Sequence, residues 1–222
     1  MLYRLIICAL ISGLTMGSVW AQDGALAWVG LSERWAKIRF DLPIEKRGEA
    51  LKALVQKSQQ VLTSNPQQAE PLVWHAVILS TLGRFRGGSE GLGLAKQAKL
   101  ALDQAEMIQP EVLDGLIYTL KGSLYFKVPG WPIGFGDPGL AENYLKKALA
   151  LNPGNIDANY FYGEFLLHKR DFKGAIKAFE RVLSADPRPG QTLADAGRKR
   201  EARAAIDRAN GLIRQQQVEI NR

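Results

Sequence analysis

The stretch Gly163-Glu164-Phe165-Leu166, then Ala175-Ile176-Lys177-Ala178-Phe179, closed by Asp186-Pro187, decides the fold. Small residues next to aromatic and aliphatic ones at helical spacing read as two short helices that pack closely. The proline then stops the second helix, because it lacks an N–H and disfavours helix in the residue before it. The same punctuation recurs upstream. Pro66, Pro110, Pro153 and Pro187 each follow a polar residue, at separations of 44, 43 and 34 residues. Self-similarity at a period of about 20–50 residues marks a stacked repeat architecture.

Aligning on the prolines tests the repeat. Twelve residues before Pro187, Pro153 and Pro110 stand Ala175, Ala141 and Ala98; five before them stand Val182, Ala148 and Ala105. A plain helical bundle with prolines in its turns has no reason to repeat small residues at two offsets. Ala175-x-x-x-Phe179…Pro187 carries the A-x3-F…P pattern, and from about residue 68 to 189 the chain resembles the tetratricopeptide repeat family. Gly163-x-x-Leu166, Gly122-x-x-Tyr125 and Ala76-x-x-Leu79, preceded by Leu72, fit the first helix of each repeat. The likeness weakens over residues 22–67, where Trp28-x-x-Leu31-x-x-x-Trp35 and a helical run from Ile44 to Leu62 read as a degenerate pair. The resemblance implies an all-α helical-repeat solenoid of about four helix pairs with a C-terminal capping helix. Residues 190–222 supply that cap: Ala202, Ile206, Ala209 and Ile213 fall at helical spacing, with charges expected on the outer face.

Residues 1–21 read as a secretory signal peptide. Arg4 gives a positive start, Leu5 to Met16 is mostly apolar, and Val19-Trp20-Ala21 fits a small-residue cleavage site. An uncleaved anchor is the alternative. The expected location is therefore periplasmic or secreted, with the mature chain beginning at Gln22. Cys8 is the only cysteine and would leave with the leader, so the remaining chain has no disulfide, thiolate metal site or cysteine nucleophile. The formal charge is +7, and Arg198-Lys199-Arg200 with Arg203 is the densest basic cluster of the tail. A solvated capping helix accounts for it; attraction to an acidic partner or a membrane surface is the second reading, and nucleic acid does not suit an exported chain.

Two repeats exceed the consensus period, and the extra chain falls near residues 83–94 and 128–139, side by side in consecutive repeats. The first segment, with Gly83, Gly87, Gly88, Gly91 and Gly93, reads as a flexible turn, since no nucleotide fingerprint accompanies its glycines. The second, Val128-Pro129-Gly130-Trp131-Pro132-Ile133-Gly134-Phe135-Gly136-Asp137-Pro138-Gly139, combines stiff prolines and permissive glycines with three large apolar side chains. These either plug the array's own groove or form a lip for a ligand or partner.

Chemistry is sparse. His75 lies in the apolar run Val73-Trp74-His75-Ala76-Val77 and reads as a hydrogen-bonded core residue; His168 is expected to be exposed. No H-E-x-x-H, G-x-S-x-G or metal-spaced cluster appears, so no enzyme, cofactor or metal is expected. In this family the concave face is lined by the first helix of each repeat, which the resemblance places at Val73, Val77, Thr119, Ser123, Phe126, Tyr160, Glu164, Leu167 and His168. The Lys and Asn clamp of chaperone-binding members is missing from those positions. Phe126, Trp131, Phe135, Tyr160, Glu164 and Leu167 are the candidate binding residues. Two functions follow: a scaffold for an unidentified periplasmic protein or peptide, or a small-ligand binder similar to the T component of tripartite ATP-independent transporters, partnered with a substrate-binding protein.

Overall fold

The computed structural model describes the backbone of residues 17–220 and the side chains of residues 28–219. The expected leader falls mostly on residues 1–16, and with Cys8 it lies outside the described residues; residues 17–21 are described only as backbone at the start of the first helix. Nine helices and no strand occur among the described residues: α1 (Gly17–Phe40), α2 (Ile44–Ser64), α3 (Ala69–Arg86), α4 (Gly88–Ile108), α5 (Val112–Lys127), α6 (Pro138–Leu151), α7 (Ile156–His168), α8 (Phe172–Ser184) and α9 (Thr192–Ile220). They form four antiparallel pairs and a long final helix, as the repeat implied. None of the described helices is long and apolar enough to cross a membrane.

Local chemistry places the boundaries. The four marker prolines sit just past the ends of α2, α4, α6 and α8. Asp137, Asn155 and Asp171 cap α6, α7 and α8, each accepting a backbone N–H at 2.9 Å, of Leu140, Ala158 and Gly174 respectively. Near the start of α5 the backbone is left-handed at Leu113, Asp114 and Gly115, so regular helix begins after them.

Packing bears out the register read from the prolines. Ala98, Ala105, Ala141, Ala148, Ala175 and Val182 are all fully or almost fully buried. Two glycines show why bulk is excluded there. A Cβ at Gly163 would lie 2.6 Å from the Phe179 ring, and one at Gly122 would lie 2.6 Å from Leu145. In the final helix Ala202 and Ala209 of the expected stripe have no exposure, Ile206 and Ile213 are half-buried, and Ala205 adds a third fully buried position.

The first expected insertion is not a loop. Residues 83–94 are helical except for a turn at Gly87: α3 runs on to Arg86 and α4 begins at Gly88. Gly83 and Gly91 serve a helix crossing, since a Cβ at Gly91 would stand 2.5 Å from the Gly83 carbonyl oxygen, while Gly87 and Gly88 take the left-handed backbone of the short turn. The second insertion is a loop, Val128 to Asp137, and it lies beside the tip of α4, where a Cβ on Gly134 would come 3.3 Å from Leu92.

The array also closes. The first helices of successive pairs, α1, α3, α5 and α7, each pack on the next, α7 packs on α9, and α9 returns to α1. Gly197 of α9 takes the Phe40 ring against its backbone, and Arg39 pairs with Glu201. Five inner helices therefore surround a lumen where an open groove was expected.

Candidate functional site

The lumen is a cavity of about 1450 Å³, walled by Trp35 of α1, Val77 and Thr81 of α3, Leu116, Leu120 and Leu124 of α5, Phe161 of α7 and Arg198 of α9. Parallel inner helices bring the ends of α3, α5 and α7 to one mouth, so Arg84, Lys127 and His168 line it together with Pro129 and Ile133 of the loop. Val77, Ser123, Phe126 and His168 line the cavity as the alignment implied. Val73 and Thr119 do not: both are fully buried between helices. The inner face of α3 is instead Val77, Ser80, Thr81 and Arg84, one helical row further round. Basic residues are thus present at the mouth, although the positions read from the alignment held none.

The loop divides its aromatic residues between the two readings. Phe135 packs edge-on against Tyr125 at 5.6 Å, at the end of a stack in which Tyr125 meets Tyr144 and Tyr144 meets Tyr118. Trp131 is 90% exposed and Ile133 67% exposed. The loop is nevertheless well tied: Gly136 N–H donates to Pro129 O and Asp137 N–H to Tyr125 O, both at 2.9 Å, while Gly134 N–H donates to Gly130 O at 3.1 Å. A side chain at Gly136 would collide with the Val128 carbonyl, so the glycine permits this path.

Of the other candidates, Phe126 lies at the cavity mouth, edge-on to Phe165 at 5.7 Å and near His168 at 5.2 Å. Leu167 packs into the second core cluster. Glu164 bridges three helices, meeting Lys127 at 3.4 Å and Arg208 at 2.8 Å. Tyr160 is buried beneath Arg198, whose guanidinium stands 4.4 Å from its ring centre. Burial pushes the Tyr160 phenol up to about 12, with Glu201 and Glu164 adding to the effect.

Arg198 is the hub of the interior. It is 4% exposed and donates to Asp157 at 2.8 Å and to Glu201 at 2.7 Å. Arg188 meets the same Asp157 at 2.8 Å and Asp195 at 2.6 Å. Burial alone would raise the Asp157 carboxyl, but Arg198 and Arg188 beside it hold it below the ordinary carboxylate range. This corrects the reading of the basic tail. Arg198 faces inward and Lys199 donates to the Ala185 carbonyl at 2.7 Å, which leaves Arg200 and Arg203 exposed from that cluster. His75 is the core residue expected, its Nδ1 2.7 Å from Ser58 Oγ, and burial lowers its pKa. Among the described residues no group of His, Cys, Asp and Glu could hold a metal ion.

Sequence reasoning placed Arg84 only beside a flexible glycine turn and missed Lys127. Arg84 falls seven residues after Val77, a signal that extending the α3 face would have caught, but the surrounding glycines read as loop.

The comparisons bear on the helical-repeat fold. The tetratricopeptide repeat family model matches residues 133–191. Among solved structures, a thermophilic tetratricopeptide-repeat protein of Thermus thermophilus superposes with a TM-score of 0.53 at 18% identity, covering 86% of this chain and 95% of that one. A structure of MamA has a TM-score of 0.41 at 20% identity, covering 76% of this chain and 91% of that one. No curated protein matches the chain. The chain carries a tetratricopeptide repeat over residues 133–191, set in an all-α tetratricopeptide-type array of helix pairs.

Proposed function

We propose that this chain is a non-catalytic scaffold of the periplasm that holds a protein or peptide partner at the rim of its helical ring. Helical-repeat arrays of this type in general serve as protein-interaction scaffolds. The observation that carries the reading is Trp131, 90% exposed on a loop fixed by its own hydrogen bonds and by Phe135. Aromatic anchors dominate interfaces when they are held rigidly and lose their water on binding. Phe126 extends this surface toward the cavity mouth, and Tyr160, Glu164 and Leu167 stiffen the helix behind it. The transporter-component reading gains nothing from the comparisons, so a substrate-binding protein has no preference as partner.

The test pairs capture with stability. Trp131→Ala should reduce partner recovery from a periplasmic extract while shifting the urea midpoint little, because the indole packs against nothing it would leave empty. A packed plug would instead lose about 3–5 kcal/mol. Loss of stability with capture unchanged, after correction for the unfolded fraction, would make the loop structure only. Export is checked on the same preparation: the periplasmic protein should begin at Gln22, and intact Met1 in membranes would contradict it.

A further inference from the structure

We propose that the lumen binds a single-chain amphiphile with a carboxylate head, its acyl chain along the apolar wall and its head at Arg84. Pro129 and Ile133 of the rim loop share the mouth with Arg84, but the lumen site does not depend on the partner reading.

Charge balance argues for the head. The carboxylates within the ring already serve cations: Glu201 meets Arg39 and Arg198, Asp157 meets Arg198 and Arg188, Asp195 meets Arg188, and Glu164 meets Lys127 and Arg208, while Asp114 and Asp186, both exposed, line the cavity without an ion pair among the described residues. Arg84 stands apart. Among the described residues no carboxylate oxygen lies within 4.0 Å of it, although it opens onto the cavity from the last turn of α3. Arg84 is exposed to the water of the lumen, yet crowding by the surrounding ring lowers its pKa, and repulsion from Arg39 and Arg198 lowers it further. Lys127, exposed at the same mouth, is lowered by partial loss of water around it and by Arg84, despite the opposing pull of Glu164. An anion seated there relieves both groups.

The wall argues for the chain. Trp74, Val77, Leu116, Leu120, Leu124 and Phe161 present carbon to the interior, and small apolar ligands enter such cavities readily. The volume of about 1450 Å³ exceeds the roughly 300–1,000 Å³ of drug-sized pockets, which leaves room for a flexible chain. Closure by α9 on α1 keeps a folded partner out of this space, so the occupant must be slender.

The experiment is calorimetric titration of the full chain with laurate below its micellar concentration, beside dodecan-1-ol and acetate. The expected result is one laurate per chain, with dodecan-1-ol at least tenfold weaker and acetate without heat. Arg84→Gln should weaken laurate about tenfold and leave dodecan-1-ol unchanged, while Arg84→Lys stays within about threefold of the parent. Arg84 forms no ion pair among the described residues, so both variants should fold, and a thermal melt checks this. Absence of laurate binding, equal affinity for the alcohol, or laurate binding unaltered in folded Arg84→Gln would each overturn the proposal.

Discussion

Replacing Gly163 by Ala sets two effects of opposite sign against each other. In a helix interior, alanine is favoured over glycine by about 0.5–1 kcal/mol through backbone entropy. Gly163 lies in α7 with ordinary helical backbone, so propensity alone predicts a gain. Packing predicts the reverse. The added methyl would stand 2.6, 2.8 and 2.9 Å from three atoms of the Phe179 ring. That ring has no exposure and its centre lies 5.7 Å from that of Tyr160, so it cannot step aside cheaply. Overpacking of this kind costs about 1–3 kcal/mol, and the net expectation is a loss of roughly 0.5–2 kcal/mol. Gly93→Ala in α4 is the internal control, because nothing lies within 4 Å of a Cβ there; it should gain about 0.5–1 kcal/mol. Urea melts at constant m-value read both numbers. A Gly163→Ala protein as stable as the parent, or more so, would refute the close helix contact on which the repeat register rests.

Further outcomes follow from the same packing and charge. Ala175→Leu, at a fully buried site, should cost about 1–3 kcal/mol in urea, whereas Ala150→Leu at an exposed site on α6 should change little; equal losses would remove the register. Burial lowers the His75 pKa beneath the ordinary 6.5 that the unfolded chain keeps. Between the two values only the unfolded chain takes up the proton, so stability should fall as pH drops below about 6.5 and level off below the folded value. His75→Gln should flatten that limb in melts from pH 8 to 5, and an unchanged limb would assign it to another group.

The repeat was legible because its punctuation is local. Pro153 and Pro187 with Ala141, Ala148, Ala175 and Val182 place two helix ends and four close contacts without reference to any distant residue. The same method failed over residues 83–94, where Gly83 and Gly91 serve a helix crossing and not a turn. Glycine permits both, and spacing alone does not distinguish them. That error hid Arg84, which a helical reading would have put in line with Val77. The loop from Val128 to Asp137 was placed correctly, but its composition could not say that Phe135 turns in and Trp131 out; the stack of Tyr118, Tyr144 and Tyr125 that receives Phe135 is assembled from two helices. Closure was the least legible feature. Arg39 meets Glu201 across 162 residues of chain, and nothing in the local pattern of α1 or α9 announces the partner.

Closure of α9 on α1 is the central claim, since it turns a groove into a lumen. The direct measurement is oxidation of a Phe40→Cys/Gly197→Cys pair in a Cys8→Ser background, at dilute protein concentration. A side chain at Gly197 would press on the Phe40 ring, so two cysteines there fall within reach of a disulfide, which needs Cβ atoms about 3.5–4.5 Å apart. The account predicts rapid, intramolecular bond formation in the folded protein, abolished by prior unfolding in urea. A folded double variant whose thiols stay free, or pair only between molecules, would contradict it.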